Sequence, residues 1–133
     1  MKKIILVTVL SIGSLFASSG EEIFKTNCVS CHIMQKGKDV ADKSKMLAPP
    51  VFGIVRHAKE IYPTKEAFVE FVSDYIKNPS KDKAVCQEKA ISRFGLMPAI
   101  GVGMKDKDIK VVSEWLYDNI QPGRGRGRGQ NRK

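Results

Sequence analysis

Apolar side chains recur at helical spacing between residues 64 and 79. They follow the i, i+3, i+4, i+7 and i+8 pattern of one buried helix face. Thr64 stands where a helix N-cap is expected, and Asn78-Pro79 ends the pattern because a proline cannot continue a helix. The pattern predicts an amphipathic helix whose apolar face holds Ala67, Phe68, Phe71, Val72, Tyr75 and Ile76.

Two further helices are predicted on the C-terminal side of this one. The first covers Lys81 to Arg93 and ends at Gly95. Residues 96–103 are too rich in glycine and proline for either a helix or a strand. The last helix opens at Lys105 or Asp106, and its buried stripe comprises Ile109, Val112, Trp115, Leu116 and Ile120.

The N-terminal half contains one short helix and longer irregular stretches. Ser19 and Glu22 form a capping box, which predicts a helix running to Cys28. Residues 34–45 are polar and lysine-rich, so they predict a solvated loop with at most one irregular turn. The Ala-Pro-Pro sequence at residues 48–50 is predicted to be extended, because each proline forces the preceding residue out of the helical region. No segment shows a strand pattern, so the predicted fold class is all-α, a small helical bundle.

Residues 1–17 have the layout of a secretory signal peptide, with a basic head, a short apolar run and small residues at the end. Cleavage is predicted after Ala17, with Ser19 as the latest alternative. An uncleaved signal that anchors the protein in the membrane is the other interpretation. The sequence therefore predicts an exported, periplasmic protein whose folded domain occupies residues 18–122.

The formal net charge of +9 is concentrated at the two ends of the chain. Residues 20–122 hold 16 basic and 14 acidic side chains, so the predicted domain is nearly neutral. Residues 123–133 form an Arg/Gly tail with no apolar side chain to bury, which predicts disorder. Either the tail is solvated and has no role, or it makes weak contact with an anionic membrane or an acidic partner. Nucleic acid is not an expected partner of an exported protein.

The sequence Cys28-Val29-Ser30-Cys31-His32 carries the chemistry. Two thiols at this spacing can each add to one vinyl group of a haem, and the following histidine can then bind the iron. The motif therefore predicts one covalently attached haem c. Cys28 and Cys31 are the predicted thioether positions, and His32 is the predicted proximal ligand of the iron.

Two other uses of paired cysteines are weaker alternatives. A structural zinc site needs four ligands, and outside the motif the chain offers only Cys86 and His57. A thioredoxin-like redox pair needs a strand–helix–strand setting, which this sequence lacks. Cys86 is interpreted as a small packing residue, with redox sensing or an inter-subunit disulfide as the alternative.

With these features, the sequence resembles a class I mono-haem cytochrome c of the bacterial type over roughly residues 20–120. That family carries a glycine and an aromatic residue eight and four positions before the first haem cysteine, and Gly20 and Phe24 match them. The resemblance implies that the first helix crosses the last one at this point, with Val112 and Trp115 as its partners.

The resemblance also implies how the iron is held. A proline soon after the motif matches Pro49, whose carbonyl would accept the Nδ1 proton of His32 and fix the ring. The axial methionine of the family stands in a Met-Pro loop before the last helix, and Met97 matches it. A thioether is a soft ligand that favours ferrous iron and raises the reduction potential. A bis-histidine haem through His57 is the alternative.

Ligation by His and Met closes both axial positions of the iron. The predicted function is therefore the carriage of single electrons between redox proteins that act as donor and acceptor. The chain shows no carboxylate pair or nucleophile–base set, so it is not predicted to be an enzyme. The alternatives are a haem c subunit of a periplasmic oxidoreductase complex and a haem-based sensor with a labile sixth ligand.

Overall fold

The computed structural model describes residues 18–36 and 39–121. The predicted signal peptide and the predicted Arg/Gly tail lie outside these ranges. Within them the chain is all-helical and contains no strand, as the sequence predicts. The helices are α1 (Gly20–Asn27), α2 (Val51–Ile61), α3 (Lys65–Tyr75), α4 (Glu88–Phe94) and α5 (Asp106–Asn119), with 3₁₀ turns at Lys43–Lys45 and Ile100–Gly103.

The start of α1 is fixed by the predicted capping box. The Ser19 hydroxyl accepts the N–H of Glu22 at 3.2 Å, and the Glu22 carboxylate accepts the N–H of Ser19 at 2.9 Å. Each residue thus satisfies a backbone donor that the first turn of a helix leaves without a partner. The helix then ends at Cys28, which lies at its C-cap.

The helices α1 and α5 cross at Gly20. A Cβ atom on Gly20 would lie 2.2 Å from Trp115 Cβ and 2.9 Å from the carbonyl oxygen of Val111, so only glycine fits there. The rings of Phe24 and Trp115 pack beside this point, with centroids 5.6 Å apart. The crossing that the resemblance implies is therefore present at Trp115, although the backbone contact of Gly20 is with Val111, and the other expected partner, Val112, belongs to the core cluster with Phe24. The crossing fixes the direction in which α1 leads into the Cys-x-x-Cys-His sequence.

Side chains and backbone groups fasten α2 and α3 to the C-terminal half of α5. Thr64 caps α3 as predicted, its hydroxyl accepting the N–H of Ala67 at 3.3 Å. Just before it, the Pro63 carbonyl accepts the Tyr117 hydroxyl at 2.6 Å. Lys59, on α2, donates from its ammonium group to the carbonyl of Tyr117 at 2.7 Å. These bonds join three helices at one end of the molecule.

The sequence predicts an extended segment at residues 48–50 and no helix directly after it, whereas the structure has α2 there. In the structure Pro50 is the N-cap of α2, with φ −57° and ψ 145°. A proline does not break a helix at this end, where its missing N–H would have no helical partner. The residues that α2 buries, Val51, Val55 and Ala58, have helical spacing.

The helix predicted over Lys81 to Arg93 is wrong in its first half, since α4 begins at Glu88. Residues 81–83 form a turn in which the Ser80 hydroxyl accepts the N–H of Lys83 at 3.3 Å. A serine side chain that bonds to nearby backbone competes with a helix in this way. Residues 96–103 are also more regular than predicted, because Ile100–Gly103 form a 3₁₀ turn.

The core lies between α1, α2, α3 and α5. The buried hydrophobic side chains of the described residues are Ile23, Phe24, Val51, Val55, Ala58, Phe68, Ile109, Val112, Leu116 and Ile120. None of the helices in residues 18–36 and 39–121 has the length and apolar composition needed to cross a bilayer. On one side of this core the packing opens into an apolar cavity.

Candidate haem-binding site

The cavity brings together all five residues that the sequence singles out. Cys28, Cys31, His32, Pro49 and Met97 all line it, although they come from three separate parts of the chain. Most of the remaining lining is aliphatic or aromatic, contributed by α2, α3, α5 and residues 84–100. The geometry therefore places two thiols, an imidazole and a thioether around one apolar space.

A tight turn after α1 presents the two cysteines and the histidine. The carbonyl oxygen of Cys28 accepts the N–H of Cys31 at 3.2 Å and the N–H of His32 at 2.8 Å. The N–H of Cys28 donates a hydrogen bond to the carbonyl oxygen of Phe24 at 2.9 Å, so the turn continues from the end of α1. Burial, and secondarily the nearby Cys31, raise the pKa of the Cys28 thiol to about 11. Cys31, in contrast, is exposed to solvent at the cavity edge.

The imidazole of His32 is oriented by backbone. Its Nδ1 lies 2.9 Å from the carbonyl oxygen of Pro49, and because a carbonyl only accepts, Nδ1 carries the proton. The bond leaves Nε2 without a proton, which is the state a ring nitrogen needs to bind a metal. Burial lowers the pKa of His32, and the bond to Pro49 opposes this in part, so the ring favours the neutral form.

The backbone places Pro49 beside the histidine. The N–H of Val51 donates to the carbonyl of Ile33 at 3.1 Å, so residues 49–51 lie along the chain that follows the cysteine turn. The carbonyl oxygen of Pro50 has a different partner, since it accepts the N–H of Gly53 at 3.0 Å in the first turn of α2. Pro49, rather than its neighbour, is therefore the residue that contacts His32.

Met97 reaches the cavity on a short irregular segment between α4 and the second 3₁₀ turn. Gly95 ends α4 with φ 76°, a conformation that side chains disfavour, and this turns the chain towards the cavity. Met97 is half-buried and is the one methionine of the described residues that lines the cavity. His57, the alternative ligand, is not among the lining residues; its ring lies 3.3 Å from Glu60 instead.

Sequence reasoning missed the position of Cys86, whereas it placed Tyr75 on the apolar face of α3. Both line the cavity, where burial raises the pKa of each group and the two also interact electrostatically. The helical period of α3 indicates that Tyr75 shares a face with Phe68, Phe71 and Val72. No pattern in the sequence indicates where Cys86 lies, because it precedes α4 in an irregular stretch.

The residues present fit a covalently held haem. The thiols are the groups that form thioether links, the imidazole is held with Nε2 available, and an apolar lining suits a large hydrophobic ring. A polynuclear or structural metal site is a poorer match. Within residues 18–36 and 39–121 no group of three or more His, Cys, Asp or Glu side chains is arranged to hold a metal ion.

Comparison with known proteins agrees with this geometry. A family model described as cytochrome C oxidase, cbb3-type, subunit III matches residues 16–116, which is more than half of the chain. The chain belongs to this cytochrome c family. An uncharacterised protein of Aquifex aeolicus (strain VF5) is 32% identical to it over 125 residues, covering 86% of this chain and 82% of the relative. No solved structure matches it. Membership of the cytochrome c family indicates haem-based electron transfer.

Proposed function

We propose that this protein is an exported carrier of single electrons that holds one haem c. Cys28 and Cys31 form the thioether links, and His32 and Met97 are the axial ligands. The observation that carries the proposal is the single apolar cavity that brings these four side chains together. When bound, the haem supplies an iron centre that gains and loses one electron.

The chain's own residues prepare the site for this role. The Pro49 carbonyl holds the His32 ring by one hydrogen bond, so Nε2 is directed without help from a side chain. The apolar lining keeps water away, which stabilises the form of the centre with less charge. The Met97 thioether favours the ferrous state and occupies the position at which a substrate or gas would otherwise bind. These properties support a carrier rather than an enzyme.

The spectrum of the ferric protein tests the ligand set. Methionine sulfur on ferric haem gives a weak charge-transfer band at the red end of the visible spectrum, and we expect it in the wild type. Met97→Ala should abolish the band, whereas Met104→Ala should keep it, because Met104 packs on the core and does not line the cavity. Met97→His should remain low-spin with a much lower potential, since axial ligands help tune haem over about 0.8 V. A band that survives Met97→Ala would refute the assignment, and high-spin bands in the wild type would favour the sensor.

The family description favours one alternative, a haem c subunit of a larger oxidoreductase complex. In that case electrons would still pass through the same site, but the protein would have a permanent partner. Gel filtration of a gently solubilised native extract separates the two, with haem staining to follow the protein. A free carrier migrates at the size of the single chain, whereas a subunit migrates with a large complex.

The proposed periplasmic location rests on the signal peptide predicted at residues 1–17. We expect the purified native protein to begin at Ser18, or at Gly20 if cleavage follows Ser19. N-terminal sequencing of the protein from a periplasmic extract checks this. A chain that begins at Met1 and sediments with membranes would instead indicate an uncleaved anchor.

A further inference from the structure

Two glycines in the 3₁₀ turn after Met97 differ sharply in their surroundings. A Cβ atom on Gly101 would lie 2.8 Å from Ile76 Cγ1 and 2.9 Å from both the carbonyl carbon and the carbonyl oxygen of Ile76. A Cβ atom on Gly103 would meet nothing within 4 Å. Neither glycine has a positive φ, so conformation does not require glycine at either position. Space alone requires it at Gly101.

Gly101 also makes a backbone bond to the same residue. Its N–H donates to the carbonyl oxygen of Ile76 at 2.8 Å. Ile76 is the C-cap of α3, a helix that packs against α5 and is anchored in the core by Phe68. The contact therefore joins the turn after Met97 to the C-terminal end of α3, and Ile76 and Ile100 line the cavity next to it.

Little else holds this part of the chain in place. Gly101 is the one buried residue between Lys77 and Met104. The other hydrogen bonds and ion pairs of residues 77–104 lie farther from Met97 or on the surface. One example is the Lys83–Asp74 ion pair at 2.6 Å, between half-exposed side chains. Exposed ion pairs contribute little. The close backbone contact at Gly101, four residues after Met97, is the buried restraint nearest to the thioether in the sequence.

We propose that Gly101 is a positioning residue for Met97: its close contact with Ile76 sets the distance between the methionine-bearing turn and α3, and so presents the sulfur to the iron. This inference rests on the proposed function. An alanine at residue 101 would push the turn away from α3. Because two of the three contacted atoms belong to the Ile76 backbone, rotation of the Ile76 side chain cannot relieve the overlap. A weak thioether ligand is sensitive to such a displacement.

Competition by imidazole measures the effect. An added ligand must displace Met97 from ferric haem, so its apparent affinity reports how well the methionine is held. We expect Gly101→Ala to raise the imidazole affinity about tenfold or more, which is within the usual range of coupling between two sites. The same variant should weaken the charge-transfer band of the methionine. The matched variant Gly103→Ala should change the affinity by no more than about twofold, as surface substitutions do. A purely structural role for Gly101 would lower the thermal midpoint and leave the imidazole affinity unchanged.

The Met97→Ala variant separates this inference from the proposed function. If Met97→Ala leaves the imidazole affinity at the wild-type value, Met97 is not the ligand and the proposed function fails. If Met97→Ala raises the affinity while Gly101→Ala behaves like Gly103→Ala, the ligand is correct and the positioning role of Gly101 is overturned.

Amide hydrogen exchange in the folded wild type decides the question even if Gly101→Ala does not fold. Coupling between two sites is reciprocal, so a contact that supports the Met97 ligand must in turn be supported by it. The Gly101 amide should therefore exchange more slowly in ferric wild type than in Met97→Ala, while the amide of Val112 in α5 exchanges equally in both. Equal rates at Gly101 would overturn the proposal.

Discussion

The two sides of the cavity are built differently. The helical core, formed by α1, α2, α3 and α5 with Ile120, contains every buried hydrophobic side chain of the described residues. The methionine segment, residues 77–104, contains one buried residue, Gly101. His32 is thus held against the core by backbone bonds, whereas Met97 lies on a segment with little packing of its own.

The difference shows what each side depends on. The apolar residues of the methionine segment line the cavity, among them Val85, Ile91 and Phe94. These side chains are only partly buried by the rest of the protein. The core owes its order to contacts within the protein. The proposed histidine ligand thus comes from the tightly packed side and the proposed methionine ligand from the loosely packed side.

Truncating one isoleucine on each side should give the largest difference. Ile109 in α5 is 1% exposed, whereas Ile91 in α4 is half-buried. We expect Ile109→Ala to lower the free energy of unfolding by about 2–5 kcal/mol, because it leaves a cavity in a closed core. Ile91→Ala should lower the free energy of unfolding by about 1 kcal/mol. Guanidinium unfolding of the holoprotein, followed by circular dichroism, measures the loss of unfolding free energy in each variant. Equal losses would contradict the difference between the core and the methionine segment.

The helix crossing should give the next largest effect. Gly20→Ala introduces a Cβ atom 2.2 Å from Trp115 Cβ, so α1 must move away from α5. Overpacking of this kind costs about 1–3 kcal/mol. Gly53→Ala is the matched control in α2, where a Cβ atom meets nothing within 4 Å, and it should be neutral or stabilising by up to about 1 kcal/mol. If the two variants unfold at the same denaturant concentration, the crossing is not a tight contact.

The surface ion pair between Asp74 of α3 and Lys83 of the methionine segment should have the smallest effect. Hydrogen bonds from Lys83 and Asn78 lower the pKa of Asp74 below its ordinary value of 3.8. The unfolded chain therefore binds the proton more readily, so this stabilisation is fully present above about pH 4 and is lost as the pH falls through the folded pKa. Asp74→Asn should lower the thermal midpoint slightly at pH 7 and not at pH 2. Lys83→Met, which removes the partner ammonium group of Asp74, should show the same dependence on pH.

The sequence predicted the helical core better than the methionine segment, for a physical reason. The Ser19 and Thr64 caps depend on local hydrogen bonds, and the buried stripe of α5 depends on helical period, whereas the crossing at Gly20 was implied by the resemblance. Helix α2 could have been found in the same way, since its buried residues are periodic. The start of α4 could not, because the turn at Ser80 competes with a helix and α4 buries no residue that would mark its face.

The candidate site shows the same division. The haem chemistry of residues 28–32 could be predicted from the sequence, because haem attachment and iron binding use residues that are close together in the chain. Met97 and Pro49 came from resemblance, and the structure places both at the cavity. The positions of Cys86 and of Gly101 against Ile76 depend on which distant segments meet, and no local pattern encodes that.

Covalent attachment of one haem can be read from the intact mass of the purified native protein. We expect a polypeptide that carries the mass of one haem after denaturation, with all colour retained by the protein in acidified acetone. Cys28→Ala combined with Cys31→Ala should remove that mass, while Cys86→Ala should leave it unchanged. A wild-type chain of bare polypeptide mass, with the haem extracted into the organic layer, would contradict the account.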